Sequence, residues 1–573
     1  MRTDEVLDAV RRGESFRGRS LVGLDLQRVD LSGIKLAGAK LTRVQFDRAK
    51  LGHADLSEAH FVECSFEDAD LTGARLTDAV FVQSSLHGAT LKGADLSRAK
   101  MPFVNLTNAA LEGATLDGTT LAGARLDDAS FEQAQLSEVV LMQVTAPRVN
   151  FSRATISRCM FNEGKLEGAR FAGAALRESL FIGTKLGGAR FDDATLDRVS
   201  LAKADLRGAT LPSAMTRTVL DGTALGRPRP QSKAAITVDG GDWSRADLRG
   251  IDLTASNLKG LDLRGADLTG AKLKTVALTE CDLTGAKLGG AEIAQLTVTQ
   301  CVLDEIDLSD RDIGVAAFTS TSLKRATFAS ARLTQCVFTE CDLTEANLSS
   351  SMLKQVAFVK SKVDGMNIEK ISLSRSAFAE TDLRKLDLAG VVAIQCVFVE
   401  ADLRECDLRR ANLTSSNFMK AKLARSKFDE AILVTANFTE SDLELATFTR
   451  ANAKMARFDR ARLRMVKFDH ARLKMAQMAG ADLTKALLSH CDLTRAELPK
   501  ISAQGAVFVH SDLSFANLSH ADVREAAFGG ANLGYTNLHA VRDERADWGG
   551  AIQSTTRRTD VERLEAEAFR PPQ

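Results

Sequence analysis

Tyrosine, tryptophan and proline are almost missing from this chain. Its 573 residues include one Tyr, two Trp and eight Pro beside 28 Phe. Cores made of packed helices and ordinary sheets use several aromatic shapes, so this composition indicates a core that repeats one shape. The chain is also too long for a single ordinary core. Internal repeats are therefore the first feature to examine.

Neither an excess of charge nor a long apolar run is present. The 75 Lys and Arg residues balance the 75 Asp and Glu residues, so the molecule as a whole is not drawn to nucleic acid or to an anionic membrane. No segment approaches eighteen consecutive apolar residues, and residues 1–20 lack the apolar centre of a signal peptide. We therefore expect a soluble, cytoplasmic protein.

Large apolar residues recur at every fifth position. From Phe16 to Leu211 only Ala146 breaks the series, and a small residue such as Ala54 commonly stands two positions before the large one. A period of five fits neither an α-helix nor a flat strand. It fits a chain that turns a corner every five residues, with two side chains inward and three outward, and the polar residues between suit turns.

The segments Ala54–Glu58 (Ala-Asp-Leu-Ser-Glu) and Ala266–Gly270 (Ala-Asp-Leu-Thr-Gly) resemble the pentapeptide-repeat family. Its pattern is a small residue, Asp or Asn, Leu or Phe, and two polar positions. The resemblance extends over nearly the whole chain. It implies an all-β fold, a right-handed quadrilateral β-helix in which four pentapeptides form one square coil and coils stack by backbone hydrogen bonds. We call a stack of such coils a tower.

Phenylalanines support a coil of twenty residues independently of the resemblance. A residue that returns once per coil forms a ladder inside one wall, with rings stacked at the strand spacing of roughly 4.8 Å. Two series have this spacing: Phe131, Phe151, Phe171 and Phe191, and Phe318, Phe338, Phe358, Phe378, Phe398, Phe418, Phe438 and Phe458.

The register of the repeats predicts two towers. The first covers 16–225 and the second covers 242–545. Residues 226–241 open with Gly-Arg-Pro-Arg-Pro and are predicted to be a linker.

Caps are expected at the tower ends, because an open end exposes apolar faces and strand edges. Residues 1–15 are predicted to form an N-terminal capping helix with Thr3 as its N-cap. Residues 546–573 are predicted to form a C-terminal cap, in which Trp548 plugs the last coil and a capping box at Thr559–Glu562 opens a helix.

The positions of the cysteines do not indicate a reactive or metal-binding site. All nine occupy the small inward position, where we expect them to be buried and inert, which argues against a zinc site or disulfides. No nucleophile–base arrangement, phosphate-binding loop or paired-carboxylate pocket is present. We therefore predict no enzyme activity and no cofactor. The cysteines are Cys64, Cys159, Cys281, Cys301, Cys336, Cys341, Cys396, Cys406 and Cys491.

A concentration of positive charge is the first candidate partner-binding site. It encircles little more than one coil, contains only Asp459 and Asp469 as acids, and has Met455, Met465 and Met475 interleaved. Such a surface suits an acidic protein partner, or it is simply solvated. We call it the basic collar, consisting of Arg450, Lys454, Arg457, Arg460, Arg462, Arg464, Lys467, Arg472 and Lys474.

Two further columns stand out among the outward positions. Small apolar residues replace the usual Asp or Asn outside the Phe ladder and predict a flat strip for a partner or a second copy. Three histidines twenty residues apart predict stacked imidazoles, either as decoration or as a metal or pH-sensitive site. The apolar strip is Ala317, Val337, Ala357, Ala377 and Val397, and the His column is His470, His490 and His510.

These features predict a non-catalytic scaffold or adaptor for protein partners of unknown identity, and they leave a homo-oligomer open. The segments Asp4–Leu7 and Asp560–Phe569 resemble the ends of bacterial family members associated with type VI secretion. The alternative is a DNA-mimicking gyrase inhibitor similar to the fluoroquinolone-resistance members, although the zero net charge and the basic collar oppose such mimicry. Nucleic-acid binding is disfavoured because no aromatic platform accompanies the collar.

Overall fold

The computed structural model describes residues 3–212, 214–221, 223–224 and 235–568. They form parallel β-solenoid coils with two short helices, as predicted. The chain divides into two compact units, Met1–Glu292 and Ile293–Gln573. Neither described helix is long and apolar enough to span a membrane.

The first unit contains one helix and most of the short strands. Its elements are α1 (Thr3–Arg11), β1 (Ser20–Val22), β2 (Lys40–Thr42), β3 (His60–Val62), β4 (Val80–Val82), β5 (Thr115–Asp117), β6 (Gln135–Ser137), β7 (Thr155–Ser157), β8 (Ala175–Arg177), β9 (Thr195–Asp197), β10 (Ala214–Thr216), β11 (Thr237–Asp242), β12 (Asn257–Asp262), β13 (Lys272–Lys274) and β14 (Ala277–Thr279).

The second unit begins within a strand and ends with the second helix. Its elements are β15 (Glu292–Thr299), β16 (Asp312–Thr319), β17 (Arg332–Thr334), β18 (Val337–Thr339), β19 (Met352–Lys354), β20 (Ala357–Val359), β21 (Ser372–Ser374), β22 (Ala377–Ala379), β23 (Val392–Ile394) and α2 (Val561–Ala568).

Pairing between coils follows a spacing of twenty residues. Ser20 of β1 pairs with Lys40 of β2, and Ala317 of β16 pairs with Val337 of β18, both in parallel. Outside the named strands, single bridges such as the one at Arg457 continue this register. One coil therefore holds twenty residues, as the Phe series predicted.

Each corner is a tight turn that begins at a large inward residue. The N–H of Ala59 donates to the C=O of Leu56 at 3.2 Å, and Glu58 between them has φ of 58°. A positive φ at this position is the geometry of a type II turn. Asp at the outward position supports the corner, since Asp70 Oδ1 accepts the N–H of Thr72 at 3.0 Å, which explains the preference for Asp or Asn in the repeat.

The interior is filled by the two inward residues of each pentapeptide. The predicted Phe ladders are confirmed: the ring centroids of Phe318 and Phe338 lie 4.8 Å apart with planes at 3°, and those of Phe131 and Phe151 lie 5.0 Å apart. These spacings match the distance between neighbouring strands, so ring stacking and backbone pairing reinforce each other.

Part of the predicted linker belongs to a coil of the first unit. Thr237 of β11 pairs with Ala214 of β10 on one side and with Asn257 of β12 on the other. Residues 225–234 lie outside the described residues. The linker prediction is wrong for 237–241, because these residues lie in β11 and pair with strands on both sides.

The N-terminal helix has the properties expected of a cap. Val6 and Ala9 of α1 are fully buried, although the rest of the helix is more exposed. The predicted N-cap is wrong in its detail, because the Thr3 hydroxyl donates to the C=O of Asp25 at 3.2 Å instead of accepting a helix N–H. This bond ties the start of α1 to a coil.

The C-terminal end differs from the predicted plug. Bridges of the repeat continue to Arg557, beyond the predicted boundary at residue 545. Trp548 occupies the large inward position twenty residues after Phe528, is half-buried, and stacks on the Phe528 ring with centroids 4.2 Å apart. None of the residues of α2 is buried. Asp560 is the N-cap, since its Oδ1 accepts the N–H of Arg563 at 3.1 Å.

On one wall of the second unit the backbone bridges between coils are interrupted. Asp387 forms no bridge within the described chain, although Asn367 and Asp407 on the same wall are each bridged to a neighbour away from it. Large residues occupy the small inward position nearby, and their extra volume pushes the coils apart. A cleft of about 730 Å³ opens between 365–372 and 385–392. The large residues are Met366, Ile371, Leu386 and Val391.

Candidate protein-binding surfaces

The cysteines lie inside the coils, as predicted. All nine are buried. The thiol of Cys341 donates to the C=O of Phe318 at 3.4 Å, and that of Cys491 donates to the C=O of Phe468 at 3.0 Å. Burial raises the pKa of Cys341 to about 11 and that of Cys491 to about 12.

Thiol reactivity tests this burial. Because a pKa near 11 leaves only about one thiol in a thousand ionised at pH 8, and because a reagent cannot enter the filled core, we expect essentially no reaction of the native protein with a disulfide-exchange reagent. In denaturant all nine cysteines should react. Fast modification of even one native thiol would contradict the inward placement.

The basic collar is distributed over all four walls of one coil. Successive wall positions carry one basic residue each, and each of these is bridged to the coils before and after it. A flat partner can therefore contact only part of the collar at once. The four wall residues are Arg457, Arg462, Lys467 and Arg472.

Only part of the collar is neutralised within the protein. Arg457 pairs with Asp459 at 3.3 Å, Arg460 with Glu440 at 2.9 Å, and Arg462 with Glu444 at 3.3 Å. The other members have no carboxylate within 4.0 Å among the described residues and remain available to a partner. They are Arg450, Lys454, Arg464, Lys467, Arg472 and Lys474.

The apolar strip and the His column have the predicted register. Ala317, Val337, Ala357 and Ala377 pair in succession along one wall, and Val397 continues the series. Ala317 and Val337 are exposed, whereas the others are half-buried. The strip is therefore flat, but most of its apolar area is already covered by neighbouring coils.

The three imidazoles of the His column are exposed and stacked. The rings of His470 and His490 lie 4.8 Å apart, and those of His490 and His510 lie 5.2 Å apart. The histidines predicted to stack therefore do so, while their role stays a prediction.

Sequence reasoning missed an exposed aromatic corner. Phe515 and Tyr535 stack in successive coils with centroids 4.9 Å apart, and the Arg495 guanidinium lies 5.6 Å from the Phe515 centroid. Met455 and Met475 extend the same column into the basic collar, since they recur at the same twenty-residue spacing. The signal in the sequence was large apolar residues twenty apart at an outward turn position. We call Met455, Met475, Arg495, Phe515 and Tyr535 the exposed corner.

Family models match most of the described coils. A model described as "Pentapeptide repeat region" matches 39–121, 118–191 and 311–388. A second, described as "Pentapeptide repeats (8 copies)", matches 174–211, 246–285, 371–410, 396–433, 435–464, 466–498, 500–534 and 511–542. No curated protein matches the chain.

Solved structures of similar proteins come from several sources. HetL, a pentapeptide repeat protein involved in heterocyst differentiation regulation from the cyanobacterium Nostoc sp., is 23% identical, with 52% of this chain and 98% of HetL covered and a TM-score of 0.15. QnrB1, a plasmid-mediated fluoroquinolone resistance protein, is 20% identical, with 40% and 93% covered and a TM-score of 0.21. A pentapeptide repeat protein from the Arabidopsis thaliana thylakoid lumen is 34% identical, with 20% and 68% covered and a TM-score of 0.15.

The matched segments together extend over more than half of the sequence and coincide with coils in which each pentapeptide forms one wall and one corner. The chain therefore belongs to the pentapeptide-repeat family.

Proposed function

We propose that this protein is a non-catalytic scaffold or adaptor that binds a partner protein on its outer surface, at the exposed corner. The observation that carries this proposal is the stacking of two exposed aromatic side chains at corners where a turn needs neither. Phe515 is 51% exposed and Tyr535 is 52% exposed, both at a positive φ of about 60°. A left-handed conformation favours Gly, Asn or Asp, so large aromatic residues bring no benefit to the turn itself.

The residue types of the exposed corner fit a protein interface. Aromatic residues, Met and Arg are enriched in such interfaces, and the strongest contributions to affinity come from Trp, Tyr and Arg. Stacking of Phe515 on Tyr535, with Arg495 above them, also keeps these side chains in one geometry before a partner arrives. Less conformational entropy is then lost on binding.

Positive charge lies beside the methionine end of the exposed corner, whereas Asp492, Glu497 and Asp512 lie on the walls beside its aromatic end. Lys454 and Lys474 precede the two methionines of the corner, and Arg457 and Arg472 lie on the walls at either side. These positive charges favour a segment that combines an apolar anchor with acidic residues and accelerate its encounter. A component of type VI secretion, suggested by the chain ends, is one source of such a partner.

Capture from the native host tests the proposal. We expect Phe515→Ala with Tyr535→Ala to reduce the recovery of specifically bound proteins at least tenfold, because truncation of central aromatic anchors costs about 2 kcal/mol or more. Phe103→Ala is the matched control, since Phe103 is also an exposed Phe with a positive φ, in the first unit. Recovery is measured by quantitative mass spectrometry.

The charges are tested in the same experiment. Arg457→Glu with Arg472→Glu should weaken capture, and raised salt should weaken it in the wild-type protein. Equal recovery with the aromatic variant, the control and the wild type would overturn the proposal. So would inhibition of DNA gyrase supercoiling by the purified protein, which would point to DNA mimicry.

A further inference from the structure

Two histidines and a glutamate meet near the C-terminal end of the second unit. His520 lies at a corner, His539 lies in the turn of the next coil, and Glu567 comes from the last turn of α2. Glu567 Oε2 is 3.1 Å from His520 Nε2 and 3.3 Å from His539 Nε2. One ligand atom from each of the three lies within 4.8 Å of the others.

These separations match the edges of a zinc coordination tetrahedron. Zn²⁺ binds His nitrogen and carboxylate oxygen at about 2.0–2.2 Å, so neighbouring ligand atoms of a tetrahedral site are about 3.3 Å apart. Both His–Glu distances already have this value. Only the separation of the two histidines has to shorten, and His520 can move because it is partly exposed at a corner.

Surrounding residues orient the carboxylate toward the two rings. Arg563 Nε donates to Glu567 Oε1 at 2.7 Å, which leaves Oε2 directed at both histidines. This hydrogen bond from Arg563 lowers the pKa of Glu567, with a further contribution from His539. The Arg563 partner resembles the hydrogen bonds that commonly orient metal ligands.

The tautomer of the His539 ring has to change when a metal binds. The N–H of Asp560 donates to His539 Nδ1 at 3.2 Å, so in the neutral ring the proton is on Nε2 and points to Glu567. When a metal binds Nε2, the neutral ring carries its proton on Nδ1, and the Asp560 N–H loses this acceptor. Metal binding thus adds a ligand bond to α2 at Glu567 and rearranges the first turn of the helix.

We propose that His520, His539 and Glu567 form a zinc site that fastens α2 to the last complete coils. Three protein ligands leave a fourth position for water, and mixed nitrogen and carboxylate ligands favour Zn²⁺ over Mg²⁺ or Ca²⁺. This site is separate from the His column, because the column offers three rings without a carboxylate between them.

Calorimetric titration of the full-length, untagged protein with Zn²⁺ tests the proposal. We expect one ion per chain with a dissociation constant of about 10 µM or tighter. His520→Ala and Glu567→Gln should each weaken binding at least tenfold, and neither replaces a residue of the core. His490→Ala is the control and should bind as the wild type does. Co²⁺ in place of Zn²⁺ should give the visible absorption of a four-coordinate site.

A structural readout separates a metal site from a simple hydrogen-bonded latch. Zn²⁺ should slow amide hydrogen exchange across 561–568 in the wild type and leave it unchanged in Glu567→Gln. The proposal is overturned if no binding is seen at about 100 µM Zn²⁺, if both variants bind as tightly as the wild type, or if binding is lost in His490→Ala instead.

Discussion

Gly241→Ala is expected to lower the free energy of unfolding by about 3 kcal/mol or more. Gly241 has φ of 138°, a conformation that L-residues rarely adopt, and an added Cβ would lie 2.2 Å from the backbone oxygen of Thr218. That oxygen belongs to a neighbouring coil and cannot rotate away as a side chain could. The substitution must therefore separate β11 from the coil it pairs with.

The adjacent glycine provides a matched control. Gly240 has φ of 68°, and an added Cβ would meet the Arg217 side chain at 3.4 Å and the Arg217 Cα at 4.0 Å, so Gly240→Ala should cost about 1 kcal/mol. Denaturant unfolding of both variants gives the comparison. Equal stability of Gly241→Ala and the wild type would mean that residues 237–241 are a linker after all.

Phe438→Ala is expected to cost about 3–5 kcal/mol, the usual penalty for emptying a large aromatic site in a core. The Phe438 ring is fully buried and lies between Phe418 at 4.8 Å and Phe458 at 5.0 Å. It also contacts the edges of Phe428 at 5.6 Å and Phe448 at 5.9 Å. Removal of this ring therefore interrupts its own ladder and also removes edge contacts with Phe428 and Phe448.

Hydrogen exchange locates the damage, because repeat proteins can open a few coils without unfolding completely. Amides of residues 418–458 should exchange faster in Phe438→Ala, and the unfolding midpoint should fall. Phe515→Ala is the comparison variant, since this ring is half-exposed on the outside, and its cost should stay near 0.5 kcal/mol. Similar losses in both variants would contradict an interior ladder.

The coil itself could be predicted because two residues in five carry all of its packing information. Leu56 and Ala54 show which side chains point inward, and Phe318 with Phe338 gives the length of a coil. The boundaries of the two predicted towers were harder to predict from the sequence. The Gly-Arg-Pro-Arg-Pro segment suggested a linker up to residue 241, whereas Thr237 already pairs with Ala214.

The C-terminal end shows a different failure. Trp548 stands twenty residues after Phe528, so the repeat already assigned it to the same inward column, but its size suggested a plug. A residue's place in the period was the better guide than its volume.

Among the candidate sites, charge composition located the basic collar and its course around one coil, but not which of its charges are paired within the protein. The contact of His520 and His539 with Glu567 could not be predicted from the twenty-residue period. The two histidines are nineteen residues apart at neighbouring turn positions, and the glutamate arrives on a helix outside the repeat. Only the docking of α2 brings them together.

The corners described above have a consequence for how this surface changes over evolution. Arg48, Phe103, His490 and Met455 all adopt the same positive φ with the same backbone hydrogen bonds, whatever their chemistry. The scaffold therefore tolerates substitution there at little structural cost, and point mutations can change the chemistry of the outer surface one corner at a time. The choice of binding partner can change in this way while the fold of the coils stays the same.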